Sequence, residues 1–154
     1  MTRWKPNTTV ATVVARVNEQ SETEYLLVHE VRDGKAVYNQ PAGHLDEGEG
    51  LIAAAIRETL EETGWEVEVT GLIGIYRFVA SNGITYMRHA FSARPIRHHK
   101  DLSLDDGIVE AVWMTRDQIT TQHSKMRSTM VESTLDDYEG SGLYPLSLLH
   151  DPNA

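Results

Sequence analysis

No cysteine occurs among the 154 residues. Disulfide frameworks, thiolate nucleophiles and cysteine-based zinc sites are excluded with it. Basic residues are scarce: 14 Lys and Arg stand against 23 Asp and Glu, for a formal net charge of −9. A broad cationic surface for a nucleic-acid polymer is therefore missing, which leaves room only for a small basic pocket suited to a phosphorylated metabolite. No apolar run approaches the roughly 20 residues of a membrane helix. The opening Met1-Thr-Arg-Trp-Lys-Pro-Asn is too polar for a secretory signal. The expected class is a cytoplasmic protein without membrane or nucleic-acid partners. No internal repeat, low-complexity tract or linker interrupts the chain, so a single domain over 1–154 is expected. A chain of this size buries roughly 70% of its unfolded surface.

Thr8 to Val17 is rich in β-branched residues and suits a strand. Glu24 to Val31 predicts a second strand, antiparallel to the first, and Asp33-Gly34 marks a turn. Pro41 ends any regular ladder after Tyr38. From about Gly50 to Thr63 the pattern becomes helical, with Ile52, Ile56, Thr59 or Leu60, and Thr63 along one side. Gly64 sits where a left-handed cap would stand. Glu66 to Val79 and Ile84 to Ala93 read as long strands joined at Ser81-Asn-Gly83. Residues 98–107 form a polar loop, and Ile108 to Met114 a short strand. Thr115 with Gln118 three residues later predicts a capping box. Met126 to Tyr138 predicts a last helix, and Leu143 to Leu149 is expected to pack back on the body. Strands and helices in this order give a mixed α/β domain.

The most informative stretch runs from Gly43 to Trp65, and it ends in Arg57-Glu58-Thr-Leu-Glu61-Glu62-Thr-Gly64. Glu58 and Glu62 are four apart, Glu58 and Glu61 three apart, so a helix sets each pair on one face. Like charges so close repel one another and call for a counter-ion. A hard divalent cation such as magnesium prefers carboxylate oxygens and commonly bridges to substrate phosphates. In isolation such a cluster is more often a solvated helix face. Here the spacing is fixed over a longer range: Gly43, five residues, Glu49, seven residues, Arg57-Glu58, two residues, Glu61-Glu62, one residue, Gly64.

That spacing resembles the signature of the Nudix hydrolases. Every charged position and both glycines are present. One departure shows: Thr59 stands where the pattern wants a bulky apolar residue, a packing change away from the metal chemistry. The resemblance implies an α/β/α sandwich around a mixed sheet. It also implies a metal cluster of Glu58, Glu61 and Glu62, helped by the Gly43 carbonyl, with magnesium as cofactor and manganese as a possible substitute. In some members the glutamate at the Glu58 position is the general base instead of, or as well as, a ligand. Arg57 and Glu49 are implied to pair and hold the loop against the helix, with Arg57 orienting the acidic cluster. One more acidic ligand often comes from outside the motif; the candidates are Asp105, Asp106 and Glu110, and Glu110 is favoured because it lies within a strand pattern.

The flanking segments bear on substrate. Tyr38-Asn-Gln-Pro-Ala-Gly-His-Leu-Asp, Met126-Arg-Ser-Thr-Met-Val-Glu-Ser and Tyr144-Pro-Leu resemble a bacterial phosphatase subfamily within the Nudix hydrolases. Its members release orthophosphate from hydroxymethylpyrimidine diphosphate, thiamine diphosphate and some nucleoside tri- and diphosphates. By that resemblance Asn39 and Gln40 line the pocket near the phosphates, and Arg127 and Ser128 contact substrate. Tyr76, Phe78 and Tyr86 either stack on a flat ring or pack the core. A proline landmark of ADP-ribose hydrolases is replaced by Val79-Ala80. The expected partner is a small phosphorylated substrate, with the protein a monomer or homodimer. Two alternatives are a pyrophosphohydrolase acting on a nucleoside triphosphate and a non-catalytic nucleotide-binding module. The latter usually loses these glutamates, which are all present. His98-His99 lack zinc-ligand spacing and read as solvated loop. His44, beside Gly43, either touches phosphate or caps a turn.

Overall fold

A computed structural model describes residues 2–152. Seven strands, β1 (Asn7–Val17), β2 (Thr23–Arg32), β3 (Lys35–Asn39), β4 (Ala42–His44), β5 (Trp65–Val79), β6 (Thr85–His98) and β7 (Ile108–Thr115), form one sheet. The helices are α1 (Leu51–Thr63), α2 (Arg116–Thr121) and α3 (Met130–Gly140). The strand order is β3-β2-β1-β6-β5, with β4 on β1 and β7 on β2. Only β1 and β6 run parallel; the other ladders are antiparallel. The sheet is mixed, as expected, and helices cover both faces.

Each face has its own apolar core. On one side Ala54 and Ala55 of α1 meet Val10, Val69, Leu72 and Phe91. On the other, Val131 and Leu135 of α3 and Ile119 of α2 pack on Val13, Tyr25, Leu27, Ile73 and Ala90. The stripe expected along α1 holds at Thr59 and Thr63, which are buried, and is corrected at Ile52 and Ile56, which only flank the core while Ala54, Ala55 and Glu62 are buried. Alanines allow the helix to lie close against the sheet, and that rotation carries Glu62 inward.

The turn chemistry follows the sequence. Asp33 and Gly34 both take positive φ, 52° and 76°, as a two-residue hairpin between β2 and β3 demands. Gly64 caps α1 at φ 76° and donates to the Leu60 carbonyl. Thr115 and Gln118 close their capping box. The segment after α3 returns as expected: Tyr144 exchanges two backbone hydrogen bonds with Leu72.

Pro41 ends the β3 ladder as expected: pairing with β2 stops at Asn39, and β4 begins a separate ladder on β1 after it. Two readings need correction. The last helix starts at Met130, not Met126. Met126 is extended and bridges Tyr38, and the Arg127 amide donates to the Tyr38 carbonyl at 2.8 Å. Those backbone groups serve β3 instead of a helix. Finally, His98 and His99 are clipped down: His98 ends β6 and stacks on Trp65, centroids 4.5 Å apart, and His99 Nε2 meets Glu66 at 3.0 Å.

Candidate active site

The site forms where the β4 end, the loop after it and the C-terminal half of α1 meet. Arg57 is its organiser. Its Nε donates to Glu49 at 3.0 Å and its Nη2 makes a second contact to the same carboxylate. Nη1 donates to Glu58 at 2.9 Å and to Glu61 at 3.1 Å. Nη2 also reaches the His44 carbonyl at 3.1 Å. Glu49 in turn accepts the Asp46 amide at 2.9 Å. One planar cation thus ties the loop to two acidic side chains of the helix, which a lysine point charge would not do. The hydrogen bonds from Arg57 hold the Glu49 carboxyl below its ordinary range.

The carboxylates differ in environment. Glu62 is 6% exposed and accepts the Ala42 amide at 2.8 Å. Burial, together with the charges of Glu58, Glu30 and Asp105, pushes its carboxyl up to about 8, against the pull of that amide. Burial also raises Glu58, against the pull of Arg57. A buried carboxylate surrounded by negative charge is held in its charged form by a cation. Oxygen atoms of Glu58, Glu62 and Asp105 lie within 4.8 Å of one another. The all-oxygen, partly buried donor set fits a hard divalent ion. Glu61 is half-exposed and occupied by Arg57.

Gly43 is fixed by this cluster. A Cβ built on it would overlap the Glu58 carboxylate. Glycine is needed there for close approach, not for an unusual φ. Thr59 also has a reason. It is fully buried, donates to the Ala55 carbonyl at 2.7 Å and shares a 2.8 Å hydroxyl pair with Thr12 of β1. The bulky apolar residue of the pattern is replaced by a matched polar pair across the helix–sheet contact.

The residues named as extra acidic ligands fall apart in space. Asp105 joins the cluster, and its amide donates to the Glu61 carbonyl at 3.2 Å. Glu110 and Asp106 do not belong to it. Glu110 lies on β7 opposite His29 and is exposed. The loop fold brings Asp105 back over the end of α1, a contact that no strand pattern announces.

The flanking candidates are mixed. Asn39 and Gln40 are buried, and Gln40 Nε2 donates to the Val131 carbonyl of α3 at 2.9 Å. Ser128 is exposed, and its hydroxyl accepts the Met130 amide at the start of α3. Arg127 is half-exposed and contacts Glu30 at 3.2 Å. Phe78 and Tyr86 stack on each other at 5.3 Å, and Tyr76 donates its hydroxyl to Asp137 at 2.7 Å. His44 lies 3.4 Å from the Asn7 amide nitrogen.

Two charged residues escaped the sequence reading. Glu30, 2% exposed, holds both Arg127 and Arg32. Arg88 on β6 is 6% exposed. Glu30 follows the apolar run 25–28 of β2 and Arg88 precedes Ala90 and Phe91 of β6, and a charge at an inward position beside such residues was the available signal.

Comparisons with known proteins agree with this arrangement. The sequence model of the NUDIX domain matches residues 6–134. The phosphatase NudJ of Escherichia coli is 34% identical over 155 residues, spanning 97% of this chain and 94% of NudJ. The structure of a NUDIX hydrolase from Nitrosomonas europaea superposes with a TM-score of 0.91 at 40% identity, over 97% of this chain and 99% of that one. An Ap4A hydrolase of C. elegans, 19% identical over 88% of this chain and 96% of its own, shares the fold with a TM-score of 0.69.

Proposed function

Because the chain belongs to the Nudix family of hydrolases, which act on phosphoanhydride bonds, we propose that it is a magnesium-dependent phosphatase of small diphosphates and nucleotides, similar to NudJ. The observation that carries the reading is the convergence of Glu58, Glu62 and Asp105 oxygens beside the Arg57-bound loop. Magnesium held there supplies charge neutralisation for phosphate oxygens and a lowered pKa for water. Gly43 contributes its carbonyl, and manganese is an acceptable substitute.

The protein groups do the rest. Arg57 fixes the rotamers of Glu58 and Glu61, so the acidic cluster is organised before substrate arrives. Glu58 or Glu61 orients the attacking water and accepts its proton. The water oxygen bonds to the terminal phosphorus as the anhydride P–O bond breaks; the bridging oxygen departs with the remaining phosphate ester, and the attacked phosphoryl group is released as orthophosphate. Asn39, Gln40, Arg127 and Ser128 line the substrate side. Hydroxymethylpyrimidine diphosphate, thiamine diphosphate and nucleoside di- and triphosphates are the substrates expected on the NudJ likeness.

The test is phosphate release with magnesium across those compounds and ADP-ribose, with and without added pyrophosphatase. Direct orthophosphate release from the thiamine-type diphosphates supports the reading. Phosphate seen only with pyrophosphatase makes the chain a pyrophosphohydrolase of nucleoside triphosphates. No release from any compound makes it a binding module.

A further inference from the structure

Arg88 sits on β6 only 6% exposed, and its Nη2 has no hydrogen-bond partner among the described residues. A buried guanidinium without a paired acceptor is costly, so cores rarely keep one. Its surroundings do not pair it. Tyr76, its neighbour across the β5–β6 ladder, gives its hydroxyl to Asp137. Glu30 is already shared by Arg127 and Arg32. Burial first, and then the charge of Arg127, push the Arg88 guanidinium down to about 10, against the pull of Glu62 and Glu30. The Nη2 donor of Arg88 is thus buried with no acceptor, and an anion would supply one.

We propose that Arg88 binds phosphate oxygens of the substrate at the inner end of the metal site, with Arg127 as a second, movable arm. The inference rests on the phosphohydrolase reading above and names a specificity residue for it. Arg127 is placed to move: its side chain is 47% exposed, and its recorded ion pair is the 3.2 Å contact to Glu30. Arg88 lies opposite Thr9 of β1, and Thr9 in turn lies opposite His44 of β4, next to the Gly43 that touches Glu58; the register thus sets Arg88 in the strand row that ends at the acidic cluster. A guanidinium fork suits phosphate oxygens better than an ammonium.

The probe is imidodiphosphate, a diphosphate that resists hydrolysis, titrated by calorimetry with magnesium present. Wild type, Arg88→Met and Arg88→Lys are compared, with melting temperature and magnesium affinity recorded for each. The expected result is at least ~10-fold weaker imidodiphosphate binding for Arg88→Met. Arg88→Lys should recover part of that loss, and magnesium binding alone should stay unchanged. A merely structural Arg88 would lower the melting temperature and magnesium affinity together and leave Lys no better than Met. If Arg88→Met does not fold, the guanidinium nitrogen resonances of Arg88 in wild type decide: they shift on adding imidodiphosphate if the proposal holds. Resonances that stay put would show a buried water as the only partner and overturn it. Equal affinity in wild type and Arg88→Met overturns the role of Arg88 and leaves the hydrolase reading intact. Absence of imidodiphosphate binding to wild type overturns both.

Discussion

Gly43 and Glu58 are in such close approach that the glutamate carboxylate occupies the place of a Cβ on the glycine. Glu58 is held there from the other side by Arg57 at 2.9 Å. The backbone of β4 and a charged side chain of α1 therefore share one small volume, and neither can change without moving the other. Gly43→Ala should fold, because φ at Gly43 is not in the left-handed region. It should displace the Glu58 carboxylate and lower kcat by ~100-fold, with weaker magnesium binding. Circular dichroism checks the fold, and steady-state kinetics check the rate. Wild-type turnover in Gly43→Ala would show that Glu58 need not lie there.

Glu61→Gln and Glu62→Gln should each cost at least ~100-fold in rate with a small change in stability. The two differ in their secondary effect. Glu62 also holds the Ala42 amide, so its variant should disturb the β4 loop. Turnover at saturating magnesium reads the first effect and amide exchange at Ala42 the second.

Metal and proton compete at Glu62. Its carboxyl is raised from an ordinary 4.5 to about 8, by burial first and by Glu58, Glu30 and Asp105 after it. In the metal-free protein the folded state therefore keeps a proton that the unfolded state has lost between those values. Stability contributed by this group must fall as pH rises through that window. Magnesium removes the penalty by supplying the charge partner. The rise in melting temperature on adding magnesium should be larger at pH 8 than at pH 6. An equal rise at both values would detach Glu62 from the metal.

The Thr12–Thr59 pair is a matter of stability, not catalysis. Thr59→Val should cost about 1–3 kcal/mol, because it strands the Thr12 hydroxyl in the core. The double replacement Thr12→Val, Thr59→Val should regain most of that loss, a coupling that a double-mutant cycle by denaturant unfolding measures. The kcat of both variants should stay near wild type.

Arg127→Ala should raise KM more than it lowers kcat, since a phosphate contact made equally in ground and transition states changes binding alone. Glu30 keeps Arg32 as its partner at 3.2 Å, so the fold should survive. An unchanged KM removes Arg127 from the substrate path.

What the sequence disclosed was local. The fixed run from Gly43 to Gly64 carried α1, its αL cap, and the fork of Arg57 on Glu49. The turns at Asp33-Gly34 and Ser81-Asn-Gly83 were readable because Gly and Asp have few other uses there. What stayed hidden depended on contacts far apart in the chain. Asp105 could not be told from Asp106 until the loop was laid over α1. Glu30 and Arg88 drew no notice in their strands, and only the fold shows that both charges are buried. That Glu62 is buried beside Ala54, Ala55, Thr59 and Thr63 could not be read from the spacing of the acidic cluster. The start of α3 was misjudged because Tyr38, some ninety residues away, captures the backbone of Met126 and Arg127.

The most direct test of the metal site is anomalous diffraction from crystals soaked in manganese with imidodiphosphate. The account predicts a peak within coordination distance of Glu58, Glu62 and Asp105, with diphosphate oxygens on the same ion. A peak on other residues, or none there at saturating manganese, would contradict it.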